Sequence, residues 1–189
     1  MPLGAARFTL QGGLEGALQL ISTQSVTAGE NVLDFTNIHT PNEYKVHLLT
    51  YTNYKPTQDS VELGVRFFEN GTLEDSTVYR FGYNYFDTGD ANSLTESYSR
   101  LRAGYSTGNA SQESASGHMY FYELRGSTTH SFQTMSHASI TNGHVLRVVH
   151  GGGNLNQHSN VDGIRLQSIG GGNTMESLTA SLYGLELWV

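Results

Sequence analysis

Three short stretches hold residue types that could do chemistry. "GYSTG" at 104–108 has the spacing of a hydrolase nucleophile elbow, with Ser106 as nucleophile, and "HGGG" at 150–153 has the composition of an esterase oxyanion-hole loop. An elbow needs a strand before it and a helix after it, so that the serine is held strained above a parallel sheet. Here Ser106 stands in a polar stretch followed by "NASQESASG", and the glycine string follows the serine instead of preceding it. "DTG" at 87–89 has the form of an aspartic-protease loop. That chemistry needs a second carboxylate sharing one proton, and the chain has no second "DTG" or "DSG". Asp87 and Gly89 read more simply as turn builders.

Metal chemistry is no better served. Zinc sites draw ligands from short spacings on one face of an element. The chain has eight His but no H-x-H and no H-E-x-x-H. His144 and His150 could share a strand face, yet six residues of strand set them about 20 Å apart. The absence of Cys removes thiolate zinc sites, disulfides and cysteine nucleophiles together. No catalytic residue, metal or cofactor is therefore expected. The sequons "NGT" at Asn70 and "NAS" at Asn109 read as turn residues.

Seventeen acidic residues against ten basic ones give a formal charge of −7, with only Lys45 and Lys55 as lysines. Nucleic-acid binders carry a basic stripe that neutralises phosphates. None stands out here, and there is no polybasic anchor or apolar run long enough to span a membrane. The opening "MPLGAARFTLQGG" lacks the charged and apolar regions of an export signal.

The elements that must carry any site are strands. Charged residues make up 14% of the chain, whereas Gly (22), Tyr (11) and Phe (8) are abundant, and no stretch is rich in strong helix formers. β-branched and aromatic side chains suit a pleated surface, and Gly and Asn supply turns. "NVLDFTNI" sets Leu33 and Phe35 against Val32, Asp34, Thr36 and Ile38. "EYKVHLLTYT" sets Tyr44, Val46 and Leu48 against Lys45 and His47. "SVELGVRFFE" places Val61, Leu63, Val65 and Phe67 on one side, and "STVYRFGYNYF" does the same for Tyr79, Phe81, Tyr83 and Tyr85. The "NG" at 70–71 between these last two predicts a hairpin joining them. Residues 87–117 predict a long connection with a short strand at 97–103, a length that tends to carry function. Beyond it, Leu146 with Val148 and Ile164 with Leu166 are the predicted inward pairs. The change of phase beside Gly184 predicts a bulge. Eight or nine short strands separated by turns give an all-β, antiparallel two-sheet sandwich of jelly-roll type over residues 29–189. Residues 1–28 form an N-terminal arm or a first strand.

The order of pieces resembles a group of tailed-bacteriophage virion proteins: the C-terminal sandwich of some tail fibres, and small stand-alone virion proteins of marine and cyanobacterial phages. "DFTNI" is followed by Tyr44, by a strand with Leu63 and Arg66-Phe67, and by Tyr79. Then come "GHMYFYELRGSTTHSFQTMSHAS" and the closing "VDGIRLQSIGGGN", with Leu182-Tyr183-Gly184-Leu185 the most recognisable part. The resemblance covers about residues 30–189. It implies a jelly-roll-like fold, homo-oligomers (often trimers), and a structural or adhesive role on the particle after synthesis in the host cytoplasm. It brings no catalytic or metal residues. With so short a stretch ahead of the sandwich, a capsid decoration or cement protein is the first expectation, with the major capsid protein or other virion proteins as partners. Phe8, Leu10, Leu14, Leu18, Leu20 and Trp188 are then the expected capsid or subunit contacts. A short tail-fibre subunit gripping host glycan is the alternative, with Tyr98 and Tyr105 as ligand residues. Its aromatic strands "FGYNYF" and "MYFYEL" would be stacking platforms, or else core on one face and partner-covered on the other.

Overall fold

The computed structural model describes residues 18–27, 29–40, 44–87, 91–126, 128–170 and 174–185. Within them the chain is all-β, with thirteen strands and no helix. In chain order these are β1 (Leu18–Val26), β2 (Val32–Thr36), β3 (Val46–Pro56), β4 (Glu62–Glu69), β5 (Thr72–Leu73), β6 (Tyr79–Phe86), β7 (Ala91–Tyr98), β8 (Leu101–Arg102), β9 (Ala115–Tyr122), β10 (Ser131–Ile140), β11 (Leu146–Leu155), β12 (Val161–Ile169) and β13 (Met175–Leu185). Eight form a large sheet in the order β1-β13-β3-β9-β10-β11-β6-β7. Five form a smaller sheet, β2-β12-β4-β5, with β8 also paired to β4. Every pairing is antiparallel, so the predicted two-sheet sandwich is the architecture found.

The core lies between the sheets and follows from the period of two. Leu33 and Phe35, Leu63, Val65 and Phe67, and Ile164 and Leu166 come from the small sheet, all at most 4% exposed. They meet Leu49 and Tyr51, Met119 and Phe121, Val149, and Tyr79 and Phe81 of the large one. Phe67 and Phe121 join the layers edge to face, with ring centroids 5.8 Å apart. Aromatic pairs of that geometry add about 0.5–1.5 kcal/mol beyond the area they bury.

Several expectations change. Residues 18–26, within the expected arm of residues 1–28, follow the first-strand alternative and form edge strand β1, paired along its length with β13. The "NG" reversal is real, with φ of +50° at Asn70 and +79° at Gly71. Its return strand is only the two-residue β5, however, and β6 crosses to the other sheet, where it pairs with β11 and β7. Tyr79 explains the departure: its buried hydroxyl accepts from the Phe67 amide and donates to the Glu74 carbonyl, tying the crossover back to β4.

The connection at 87–117 contains β7 and β8, because polar "ANSLTESY" can pair at an edge without burying a face. In β11 the buried apolar side chains are Val149 and Leu155, and Leu146 is 58% exposed. In β3 the buried face is His47, Leu49 and Tyr51, so Val46 and Leu48 point outward. The His47 ring is accommodated because its Nε2 bonds the Ile38 carbonyl at 3.1 Å. The irregularity expected at Gly184 sits across the ladder, in β1 between Leu20 and Ser22.

Candidate assembly interface

Several residues of the catalytic-looking strings have packing or hydrogen-bonding partners within the fold. Gly104, the first glycine of "GYSTG", lies under the His137 ring, where a Cβ would come within 2.4 Å of Cε1. His137 is buried, and its Nδ1 is 2.7 Å from the Tyr51 hydroxyl. That hydroxyl donates to the Ala103 carbonyl at 3.1 Å, so His137 Nδ1–H is the donor in the pair. Burial pushes this imidazole down to about 4. Ser106 has φ of +53°, but among the described residues its hydroxyl has no hydrogen bond to a histidine. The "HGGG" string runs inside β11. The Asp87 carboxylate is held by Arg147 through Nε at 2.8 Å and through Nη2. Among the described residues no group of three or more His, Asp or Glu could hold a metal. Asn70 and Asn109 have engaged side chains: Asn70 Oδ1 accepts from Asn160, and Asn109 Nδ2 donates to the Thr57 carbonyl.

Tyr105 belongs to a ring stack with Tyr83 and Tyr85 of β6, packed against the core. Its ring lies 5.8 Å from Tyr83 and 5.4 Å from Tyr85. Arg102 stands 4.5 Å over Tyr83 and 4.7 Å from Tyr105, and Arg147 stands 4.6 Å over Tyr85. Both guanidinium groups are neutralised, Arg102 by Glu62 at 2.9 Å and Arg147 by Asp87. Burial is the main reason the Tyr105 phenol is pushed up from its usual range. The Tyr105 ring is therefore already engaged on both sides by aromatic and guanidinium neighbours. Tyr98 lies edge-on to Phe81 at 5.6 Å and receives the Arg100 guanidinium 4.6 Å above its face.

The outer face of the large sheet is different. Its register lines up two adjacent rows across five strands. One row is Leu18, Leu185, Val46, Tyr122 and Phe132, and the next is Leu20, Tyr183, Leu48, Tyr120 and Thr134. Nine of these ten are apolar or aromatic. The third row is polar but uncharged: Thr23, Ser181, Thr50, His118 and Ser136. Thus no Asp, Glu, Lys or Arg stands in these rows, on a chain of net charge −7. Along the first row the next charged residue is Arg80 on β6, which is reached from β13 only by way of β3, β9, β10 and β11. Leu20 is 59% exposed, Phe132 46% and Leu18 45%. Tyr120 and Tyr122 stack on each other with centroids 6.4 Å apart, forming a rigid ridge across the patch.

Five strands at a spacing of about 4.8 Å make the patch about 24 Å wide. Contiguous apolar surface of a few hundred Å² is the scale at which a monomer's patch marks an interaction site. Aromatic enrichment with depletion of charge is also the composition of interface centres.

No protein-family model, no curated protein and no solved structure matches this chain. Of the contact residues read from the sequence, Leu18 and Leu20 lie on this outer face. Phe8, Leu10, Leu14 and Trp188 fall outside the described residues. Sequence reasoning did not find Val46, Leu48, Tyr120, Tyr122 and Phe132 as one surface. A signal was present: the polar positions of these strands are filled by Thr, Ser, His and Tyr where an exposed face would ordinarily carry Lys and Glu.

Proposed function

We propose that this chain is a non-enzymatic structural protein of a bacteriophage virion, a capsid decoration protein that docks through the outer face of its large sheet and clamps neighbouring capsomers. The observation that carries the docking reading is the pair of apolar rows from Leu18–Phe132 and Leu20–Thr134, uncharged on an acidic chain. The resemblance of residues 30–189 to phage virion proteins supplies the setting. The mechanism requires no chemistry. Whatever binds only the assembled state stabilises it by mass action, in proportion to the logarithm of the bound ligand's excess over its dissociation constant. Desolvating this face carries no charge-burial penalty, so the gain from apolar area is retained.

The test is to add purified protein to particles that lack it and image them by electron microscopy. Density recurring at symmetric capsid positions, with the large sheet facing the shell, is the expected result. Density confined to the tail would replace the decoration reading with that of a fibre subunit, and no binding to any particle would remove the virion reading.

A further inference from the structure

The opposite side of the sandwich holds a recess with the reverse electrostatic character. Arg66 lies between inward-facing Val65 and Phe67, and so projects from the outer face of the small sheet. Its Nε donates to the Ser99 carbonyl at 3.0 Å. Arg100 reaches the same place from the turn before β8, with Nη2 donating to the Tyr98 hydroxyl at 2.9 Å. Neither guanidinium has a carboxylate in contact among the described residues. Both line a recess of about 400 Å³ with Asn31, Val32, Gln167 and Ser168. That volume falls at the small end of ligand sites, which run from about 300 to 1,000 Å³.

The site has a built floor. A Cβ on Gly64 would come within 3.0 Å of Arg100 Cδ and 2.4 Å of Ile169 Cδ1, so the glycine lets the Arg100 stem lie flat on β4. Tyr98 then holds the guanidinium from one side by cation–π contact at 4.6 Å and by its hydroxyl. Around the recess, Arg66 and Arg165 are cross-strand neighbours and Arg100 lies within electrostatic range of Arg66 and Arg102, while Glu62 is paired with Arg102 and Asp34 with Arg165. The neighbourhood is therefore cationic on an acidic protein. Burial, opposed by Tyr98 and Glu62 and reinforced by Arg66 and Arg102, holds Arg100 below its ordinary range. A bound anion would relieve that repulsion.

We propose that this recess binds an acidic saccharide, its carboxylate held by Arg66 and Arg100 and its hydroxyls by the side-chain amides of Gln167 and Asn31. Guanidinium forks match a carboxylate in plane and spacing. The amides supply both donors and acceptors, which hydroxyls need and a simple inorganic anion does not use. With the large sheet docked on a shell, this face points to the medium. The binding itself is independent of the virion reading, because the isolated chain suffices to measure it.

The experiment is a ligand-observed NMR titration of the full chain with glucuronate and N-acetylneuraminate, with glucose and sulfate as comparisons. Saturable binding of at least one acidic sugar, tighter than both comparisons, is expected. Arg100→Gln and Arg66→Gln should each weaken it at least tenfold, and Arg100→Lys should restore it only in part. The thermal transition of each variant, measured alongside, identifies any variant that has simply lost its fold. The proposal is overturned by absence of binding to both acidic sugars, by sulfate binding as tightly as they do, or by affinity unchanged in folded Arg66→Gln and Arg100→Gln proteins.

Discussion

His47 and His137 are the two imidazoles that the fold commits to the neutral form. Each sits in the large sheet's inner face at 1% exposure or less, and burial is the first cause that lowers each to about 4. An unfolded imidazole titrates near 6.5, so between these values the unfolded chain binds more protons than the folded one. Stability is therefore complete above about pH 6.5, is lost as pH falls toward about 4, and changes no further below it on account of these groups. A separation of this size corresponds to about 3 kcal/mol for each histidine. Urea unfolding followed from pH 7.5 to 4.5 should show the midpoint falling across this window. His137→Gln should lower the midpoint at pH 7.5 and flatten its pH slope. A slope unchanged in that variant would show that His137 does not contribute. The same residue also gives the first glycine of "GYSTG" a packing role: the His137 ring lies where a Gly104 Cβ would be.

At the scale of elements, β13 is the strand that both the sequence resemblance and the sheet depend on. It lies between β1 and β3, with Leu178, Ala180 and Leu182 facing the core. Gly184 continues that inward face, and the Tyr44 ring lies directly on it, where a Cβ would meet ring atoms at 2.2–2.4 Å. Tyr44 in turn donates to Gln19 of β1 at 3.0 Å, so one ring staples three strands' worth of chain at the edge of the sheet. Gly184→Ala should destabilise by about 1–3 kcal/mol, the usual cost of forcing volume into a packed site. The penalty should shrink in a Tyr44→Ala background, because the obstructing ring is gone. Equal penalties in the two backgrounds, measured by denaturant unfolding as a double-mutant cycle, would mean that the strain lies elsewhere. The predicted bulge beside Gly184 misread the same glycine: it marks a ring's resting place, and the register slip belongs to the neighbouring strand.

For the whole molecule, the two outer faces differ in character: the large sheet carries the two apolar, uncharged rows, and the small sheet carries the arginine recess. Tyr120 is half-buried on the outer face, with no hydrogen bond to the core among the described residues and a T-shaped contact to His118 at 5.8 Å. Tyr120→Glu should therefore change unfolding free energy by only about 0.5–1 kcal/mol, the range of surface substitutions with modest packing loss. It should nonetheless abolish co-sedimentation with particles, because docking would bury an unpaired carboxylate. Retained particle binding with an intact fold would exclude this face as the docking surface.

The amino-acid sequence by itself determined the all-β class, the sandwich, and most of its core. The alternation of Val61, Leu63, Val65 and Phe67, or of Ile164 and Leu166, encodes which side is buried, and antiparallel strands with one wet face need little else. It also made the catalytic-looking strings suspect, because their order and context were wrong. Tertiary structure alone decided which strands pair and which face of β3 turns inward. Local alternation is equally satisfied by either phase, and Val46 with Leu48 is as apolar as Leu49 with Tyr51. The hydrogen bond that makes His47 tolerable inside comes from Ile38, nine residues earlier. The uncharged rows and the arginine recess are likewise products of register and layer. Val46, Tyr122, Phe132 and Leu185 become neighbours only across ladders, and Arg66 meets Arg100 only because β8 folds back along β4. Nothing in the spacing of such residues along the chain carries that information, since cross-strand neighbours are set by pairing and not by sequence distance.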